Sequence, residues 1–149
     1  MRLVLQRVSR ASVSIEGEAV GKIDRGILAL VGINDTDDES VFERMLSKMV
    51  NLRIFEDTEG KMNISLKDNG FGLLIVPNFT IYSDARKGNR PSFAMGAKPE
   101  KAKVIFEAFT DYCQKNYPHI QKGVFGADMK VELLNDGPVT ILLDSDRLF

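Results

Sequence analysis

Ile27-Leu28-Ala29-Leu30-Val31 stands between the turn Asp24-Arg25-Gly26 and the polar run Thr36-Asp37-Asp38-Glu39. Successive side chains of a strand point to opposite faces, so five apolar residues in a row predict a central strand covered on both sides. Thr36-Asp37-Asp38-Glu39 has the pattern of a capping box that opens a helix. Val41, Phe42, Met45, Leu46, Met49 and Val50 then recur at helical spacing and predict one buried helix face. A covered strand followed by an amphipathic helix is the signature of a mixed α/β fold.

The flanking sequence extends this reading. Upstream, Leu3 to Val8 alternates loosely and Ser12 to Ile15 alternates cleanly; Glu16-Gly17-Glu18 is a turn, and Ala19 to Ile23 returns as a strand. Downstream, Leu52-Arg53-Ile54-Phe55 is a short strand, Asp57 to Lys61 a turn, and Phe71 to Val76 a second buried strand. Pro99 fits the first turn of a second helix, where its missing N–H costs nothing. Ala102, Ile105, Phe106, Phe109 and Cys113 form that helix's apolar stripe. Met129 to Leu134 and Val139 to Leu143 are expected as the last two strands, joined by a turn at Asn135-Asp136-Gly137-Pro138.

Composition bounds the chemistry. The chain has 149 residues, one domain's worth, with a net charge of −1 from 20 basic and 21 acidic residues. No global field draws it to a polyanion, so any such contact needs a local patch. It has one cysteine, Cys113, and one histidine, His119. That excludes an internal disulfide and a zinc site built on His and Cys clusters. A serine or cysteine nucleophile with a histidine base would have to use His119, which reads as a loop residue. Neither a metal nor a cofactor is expected. No apolar run has the length of a membrane span or a signal peptide, so the cytoplasm is the expected compartment.

Three stretches differ from structural filler. Pro77-Asn78-Phe79-Thr80-Ile81-Tyr82-Ser83-Asp84 follows a buried strand, where released backbone N–H groups can meet a developing oxyanion. An edge strand ending in a turn explains it equally. Arg86, Lys87 and Arg90 lie within five residues around Gly88, as a phosphate-contacting loop or a solvated one. Gly137-Pro138 reads as a turn with a trans bond, the usual state of an X–Pro peptide. Together the three suggest recognition through backbone rather than side-chain acid–base work, and name no substrate.

Six segments, in order, resemble the D-aminoacyl-tRNA deacylase family over essentially the whole chain. They are Leu5-Gln6-Arg7-Val8 with Ala11-Ser12-Val13, Asn51-Leu52-Arg53-Ile54-Phe55, Asn78-Phe79-Thr80, Arg90-Pro91-Ser92-Phe93, Gly123 to Met129, and Asn135 to Thr140. The resemblance implies a single domain over residues 1–149, a mixed β-sheet in barrel-like layers with two main helices. It implies a hydrolase that releases D-amino acids, and glycine mischarged on tRNA, as chiral proofreading in translation quality control. It further implies a homodimer with its active sites at the interface. In that scheme Gly137-Pro138 enters the partner's pocket as a cis dipeptide, oriented by Arg7, and its carbonyls meet the α-amino group. Phe79 and Thr80 supply backbone N–H groups at the scissile carbonyl, with Asn78 on the selection side. Phe125, Gly126 and Met129 accept the terminal adenosine. Apart from the resemblance, the loop charge makes Arg86, Lys87 and Arg90 the candidate tRNA contacts, with a solvated loop as the alternative.

The family usually reads Ser-Gln-Phe-Thr-Leu where this chain has Pro77-Asn78-Phe79-Thr80-Ile81. A related subgroup with looser chiral selection also carries Pro first but differs at the position of Phe79. The departure bears on chiral strictness more than on the reaction. In the expected mechanism the Thr80 N–H positions the ester and the terminal 2′-hydroxyl of tRNA assists the attacking water. A non-catalytic binding module and a hydrolase of another small ester are the competing classes.

Overall fold

A computed structural model describes residues 1–149. In chain order the elements are β1 (Arg2–Ile15), β2 (Glu18–Ile23), β3 (Gly26–Gly32), α1 (Phe42–Asn51), β4 (Arg53–Glu56), β5 (Met62–Ser65), α2 (Leu66–Asn69), β6 (Gly72–Pro77), α3 (Pro99–Asn116), β7 (Ile120–Lys122) and β8 (Lys130–Asp144). The main sheet runs β2-β1-β3-β6-β7, with β8 on the other side of β1, and β4-β5 is a separate hairpin.

The run Ile27 to Val31 is central, as its apolar pattern requires. β3 pairs antiparallel with β1 and parallel with β6. Ile27, Ala29 and Val31 join the core under α1 and α3, while Leu28 points into the second cluster with Val8, Val13 and Leu74. Fully buried Phe106 and Phe109 from α3 and Met49 from α1 close the larger core. Each such side chain contributes about 2–3 kcal/mol when taken out of water.

β1 bends the sheet into a nearly closed barrel. Its first half pairs with β3 and its second half with β2, while β8 follows it along most of its length. The two alternating segments read in residues 3–15 are thus one strand. β3, β6 and β7 run parallel, so their C-terminal ends lie together, the usual place for a site on such strands.

Three expectations are corrected. Thr36-Asp37-Asp38-Glu39 is not a capping box: Asp38 caps a short 3₁₀ turn (Glu39–Val41) by accepting the Ser40 N–H at 2.9 Å, and α1 begins only at Phe42. Asp37 is buried and paired with the Met1 ammonium, so it serves the core rather than the helix end. The last two strands are one, β8, because β1 offers a continuous ladder that bridges the irregular middle. Gly137-Pro138 is therefore no turn but a bulge inside that strand, and its peptide is cis.

Candidate active site

β6 ends where Pro77 faces Val31, and the Asn78 N–H makes the last ladder bond, 2.8 Å to the Val31 carbonyl. Asn78 then caps a 3₁₀ turn, Phe79–Tyr82. Its side-chain carbonyl oxygen accepts the Thr80 N–H at 3.2 Å and the Thr80 hydroxyl at 2.6 Å. Asparagine is a favoured cap because its short amide reaches those donors. The Thr80 N–H expected at the ester is thus engaged by the cap, and the Thr80 hydroxyl has spent its proton. The N–H of Phe79, first in the turn, has no acceptor within it. The far end of the turn is anchored by buried Tyr82, whose hydroxyl accepts from the Asn34 side-chain amide at 3.2 Å. Burial raises that phenol's pKa, so it stays protonated.

The facing wall is the segment between β7 and β8. It starts where the Gly123 N–H bonds the Ile75 carbonyl at 2.8 Å. A Cβ on Gly123 would come within 2.8 Å of the Met129 sulfur and 3.4 Å of Pro77, so glycine leaves the room the thioether occupies. Phe125 leans on buried Phe106 with ring centroids 6.1 Å apart, and Gly126 takes the left-handed conformation at φ +79°. A third wall comes from Ala97, Pro99 and Ala102 at the start of α3, tied to the end of β3 by the Ala97 N–H on the Ile33 carbonyl at 2.9 Å.

These walls enclose a cleft of about 520 Å³ in which Pro77, Asn78, Phe79 and Phe93 face Phe125, Gly126 and Met129. That size suits a nucleoside-scale ligand. Two of the six sequence segments therefore meet from opposite sides, and a third contributes Phe93. None of the lining residues is ionisable. Such a cleft can bind, desolvate and donate from backbone, but it holds no side-chain acid or base.

His119 is at the opposite end of the parallel strands. Its carbonyl accepts the Leu73 N–H at 2.9 Å, and its ring stands edge-on to Tyr117 beside Gly70. Leu73 and Pro77 are four residues apart on β6, or about 13 Å along the strand, so the imidazole does not reach Thr80. Cys113 is buried among core side chains, and its thiol pKa is pushed up to about 12 by that burial.

Arg7 and Gly137-Pro138 form a second constellation. Arg7 is 4% exposed; it donates to the Asp136 carbonyl at 3.0 Å and the Ile54 carbonyl at 2.7 Å. The Asn135 amide spans the bulge, donating to the Arg7 carbonyl at 2.9 Å and the Val139 carbonyl at 3.0 Å. Gly137 and Pro138 themselves are exposed. The register separates them from the cleft: Pro77 is level with Val31, Leu3 and Leu143, whereas the bulge is level with Arg7. Four residues along the strands and three strands across make roughly 20 Å along the sheet.

Of the three loop cations, exposed Arg86 is tied to Asp84 by two bonds of 2.8 and 2.7 Å, which hold the Asp84 carboxyl well below its usual range. Lys87 and Arg90 are exposed without an ion-pair partner in the chain. Sequence reading did not select the α3 wall, since Lys98-Pro99 signals a helix start and carries no sign of the strand end it packs beside.

A family model described as D-Tyr-tRNA(Tyr) deacylase matches residues 4–144. Proteins named D-aminoacyl-tRNA deacylase are similar over the whole of both chains: that of Clostridium acetobutylicum is 48% identical over 149 residues, and that of Petrotoga mobilis 51% identical over 150. A solved structure titled c-Myc DNA Unwinding Element Binding Protein superposes with a TM-score of 0.90 at 41% identity, covering 97% of this chain and 98% of that one. Another, of a probable eukaryotic D-amino acid tRNA deacylase, gives a TM-score of 0.83 at 15% identity over 95% and 97% of the two chains, a likeness of fold. No helix here is long and apolar enough to cross a membrane.

Proposed function

The chain belongs to the D-Tyr-tRNA(Tyr) deacylase family, hydrolases of the ester between a D-amino acid and tRNA, and we propose that it performs this reaction in the cleft at the end of β6. The observation that carries the reading is the cleft itself: nucleoside-sized, free of ionisable side chains, and lined by residues from three of the six segments that resemble the family. The terminal adenosine lies between Phe125 and Met129, with Gly126 leaving room for its approach. The ester carbonyl points at the Phe79 N–H. Water adds to that carbonyl, the N–H meets the developing oxyanion, and the bond to the ribose oxygen breaks. The amino acid leaves as a carboxylate; of the water's two protons one goes to the ribose oxygen and the other to solvent. The terminal 2′-hydroxyl of tRNA orients the water, in place of the base that the cleft lacks. Asn78 serves as the cap that fixes the Phe79–Tyr82 turn.

On this reading the working unit is a homodimer, and a second copy brings Gly137-Pro138 to the cleft. Three observations support it. The dipeptide is exposed, and it lies roughly 20 Å along the sheet from the cleft of its own chain. β8 pairs only with β1, leaving a long edge that proteins normally cover. Leu133, Leu134 and Leu142 on β8 are open to solvent. Carbonyls of the dipeptide then take the α-amino group and leave no space for an L side chain, so glycine passes as the D-form does. Arg7 sets the dipeptide's orientation. Lys87 and Arg90 face the acceptor-stem phosphates, with Arg86 bracing their loop. The enzyme works where aminoacyl-tRNA is, in the cytoplasm.

The test is release of amino acid from tRNA charged with D-tyrosine, L-tyrosine or glycine. Release from the D-form and glycine with the L-form untouched is expected. Equal release from D and L would overturn the chiral part and assign the looseness to Pro77-Asn78. No release from any of the three would leave a binding module.

A further inference from the structure

Phe79 is 61% exposed and Phe93 45%, an unusual amount of aromatic surface to leave at the mouth of a cleft. The two rings meet edge to face, with centroids 5.2 Å apart and planes at 69°. Phe79 also opens a 3₁₀ turn of only four residues, and such short turns have little stability of their own. Buried Tyr82 secures the far end of that turn. At the near end, beyond the Asn78 cap, the aromatic partner of Phe79 is Phe93.

Phe93 reaches this contact because the loop before it is closed at the neck. The Asp84 N–H donates to the Ser92 carbonyl at 2.7 Å, and the Ser92 N–H donates back to the Asp84 carbonyl at 2.9 Å. On one side of that neck the Arg86 guanidinium holds the Asp84 carboxylate, two residues before it in the chain. Phe93 is the next residue, and its carbonyl accepts the Gly96 N–H at 3.3 Å where the chain turns toward α3. The loop with Lys87 and Arg90 on its tip is therefore a mount that delivers one ring to the edge of Phe79.

We propose that Phe93 is a positioning residue, which holds the Phe79 ring and turn so that the Phe79 N–H faces the ester carbonyl. The proposal rests on the reading that this N–H meets the substrate. A ring held by one edge-to-face contact yields when the contact is removed, and the N–H it orients then samples other directions. The loss falls on the step in which charge develops on the carbonyl oxygen, more than on capture of the tRNA.

The test compares wild type with Phe93→Ala and Phe93→Tyr, measuring hydrolysis of D-tyrosyl-tRNA and following the Phe79 amide by ¹⁵N NMR of the intact protein. In Phe93→Ala, kcat is expected to fall about 3- to 10-fold, the size of one aromatic pair, with KM changed less than about twofold. Phe93→Tyr keeps the ring and restores kcat to within about twofold of wild type. The Phe79 amide signal shifts or broadens in the alanine variant and returns in the tyrosine variant. An unchanged kcat, a loss confined to KM, or a tyrosine variant no better than alanine would overturn the proposal. So would a Phe79 amide unmoved by Phe93→Ala, whatever the activity. A wild-type protein inert on D-tyrosyl-tRNA would instead overturn the reading it rests on, while the amide signal still reports whether Phe93 holds Phe79.

Discussion

The cleft at the end of β6 and the Gly137-Pro138 bulge on β8 are built in opposite ways. The cleft is assembled within the chain: Asn78 satisfies the Thr80 N–H and hydroxyl, Phe125 leans on the core, and the wall of α3 is tied to β3. The bulge is braced from behind by Arg7 and Asn135, yet its two residues face solvent with nothing of their own chain in front of them. The charge of buried Arg7 is met within the chain, by the Asp136 and Ile54 carbonyls and by the Asp136 carboxylate at 3.5 Å, so the bulge is held in place from behind. On the proposed dimer reading the cleft is a receptor and the bulge an insert, and their separation of roughly 20 Å along one sheet is what makes that reading testable by mixing copies.

The largest effect is expected from breaking the insert. A Cβ on Gly137, at φ +122°, would come within 2.7 Å of the Arg7 guanidinium and 2.9 Å of Val139. Gly137→Ala therefore displaces the dipeptide, and kcat/KM is expected to fall about 100-fold for D-tyrosyl- and glycyl-tRNA alike, the scale of misplacement in a preorganised site. Mixing sharpens the comparison. If insert and receptor come from different copies, Gly137→Ala and Asn78→Ala chains unfolded and refolded together recover about a quarter of wild-type activity, since half the dimers are mixed and each has one intact site. No recovery would return both regions to a single chain.

A smaller effect separates two neighbours in the receptor. Asn78→Ala removes the cap, costs about 1 kcal/mol of local stability and lets the turn fray beside the Phe79 N–H. Its kcat is expected to drop about 10-fold. Thr80→Val removes only the hydroxyl, whose proton already goes to Asn78, and kcat is expected within about threefold of wild type. If the valine variant is inactive while still binding tRNA, the hydroxyl takes part in the chemistry and the backbone account is wrong.

Much of this was legible in the sequence where local pattern and global fold agree. Ile27 to Val31 announced a strand covered on both sides, and Phe42 to Val50 a helix with one buried face. Those readings depend only on periodicity. The capping box failed because the Asn34 side chain takes the Thr36 N–H and hydroxyl and Asp38 caps the turn in its place, an exchange between near neighbours that the residue pattern does not decide. The break at Gly137-Pro138 failed as a turn because β1 continues past it and supplies partners on both sides. Segment resemblance collected Asn78, Phe79, Phe125 and Met129, and the fold put them around one cleft. It did not collect Ala97, Pro99 and Ala102, whose contribution comes from where α3 starts relative to β3. The engagement of the Thr80 N–H depends on one side-chain rotamer and is written nowhere in the spacing.

The smallest effect expected is none, at His119, and it is informative because this is the one histidine in the chain. Its ring stands against Tyr117 at the start of β7, while the cleft opens beyond the other end. If the cleft works through backbone donors and the substrate's own hydroxyl, nothing in the protein near the ester titrates between pH 6 and 8. His119→Gln is then expected to keep kcat within about twofold at each pH in that range, with the same pH profile as wild type. A histidine acting as base would instead give the wild type a pH dependence of kcat that the glutamine variant loses. That result would bring His119 to the substrate from a second copy, making the partner's contribution chemical as well as steric.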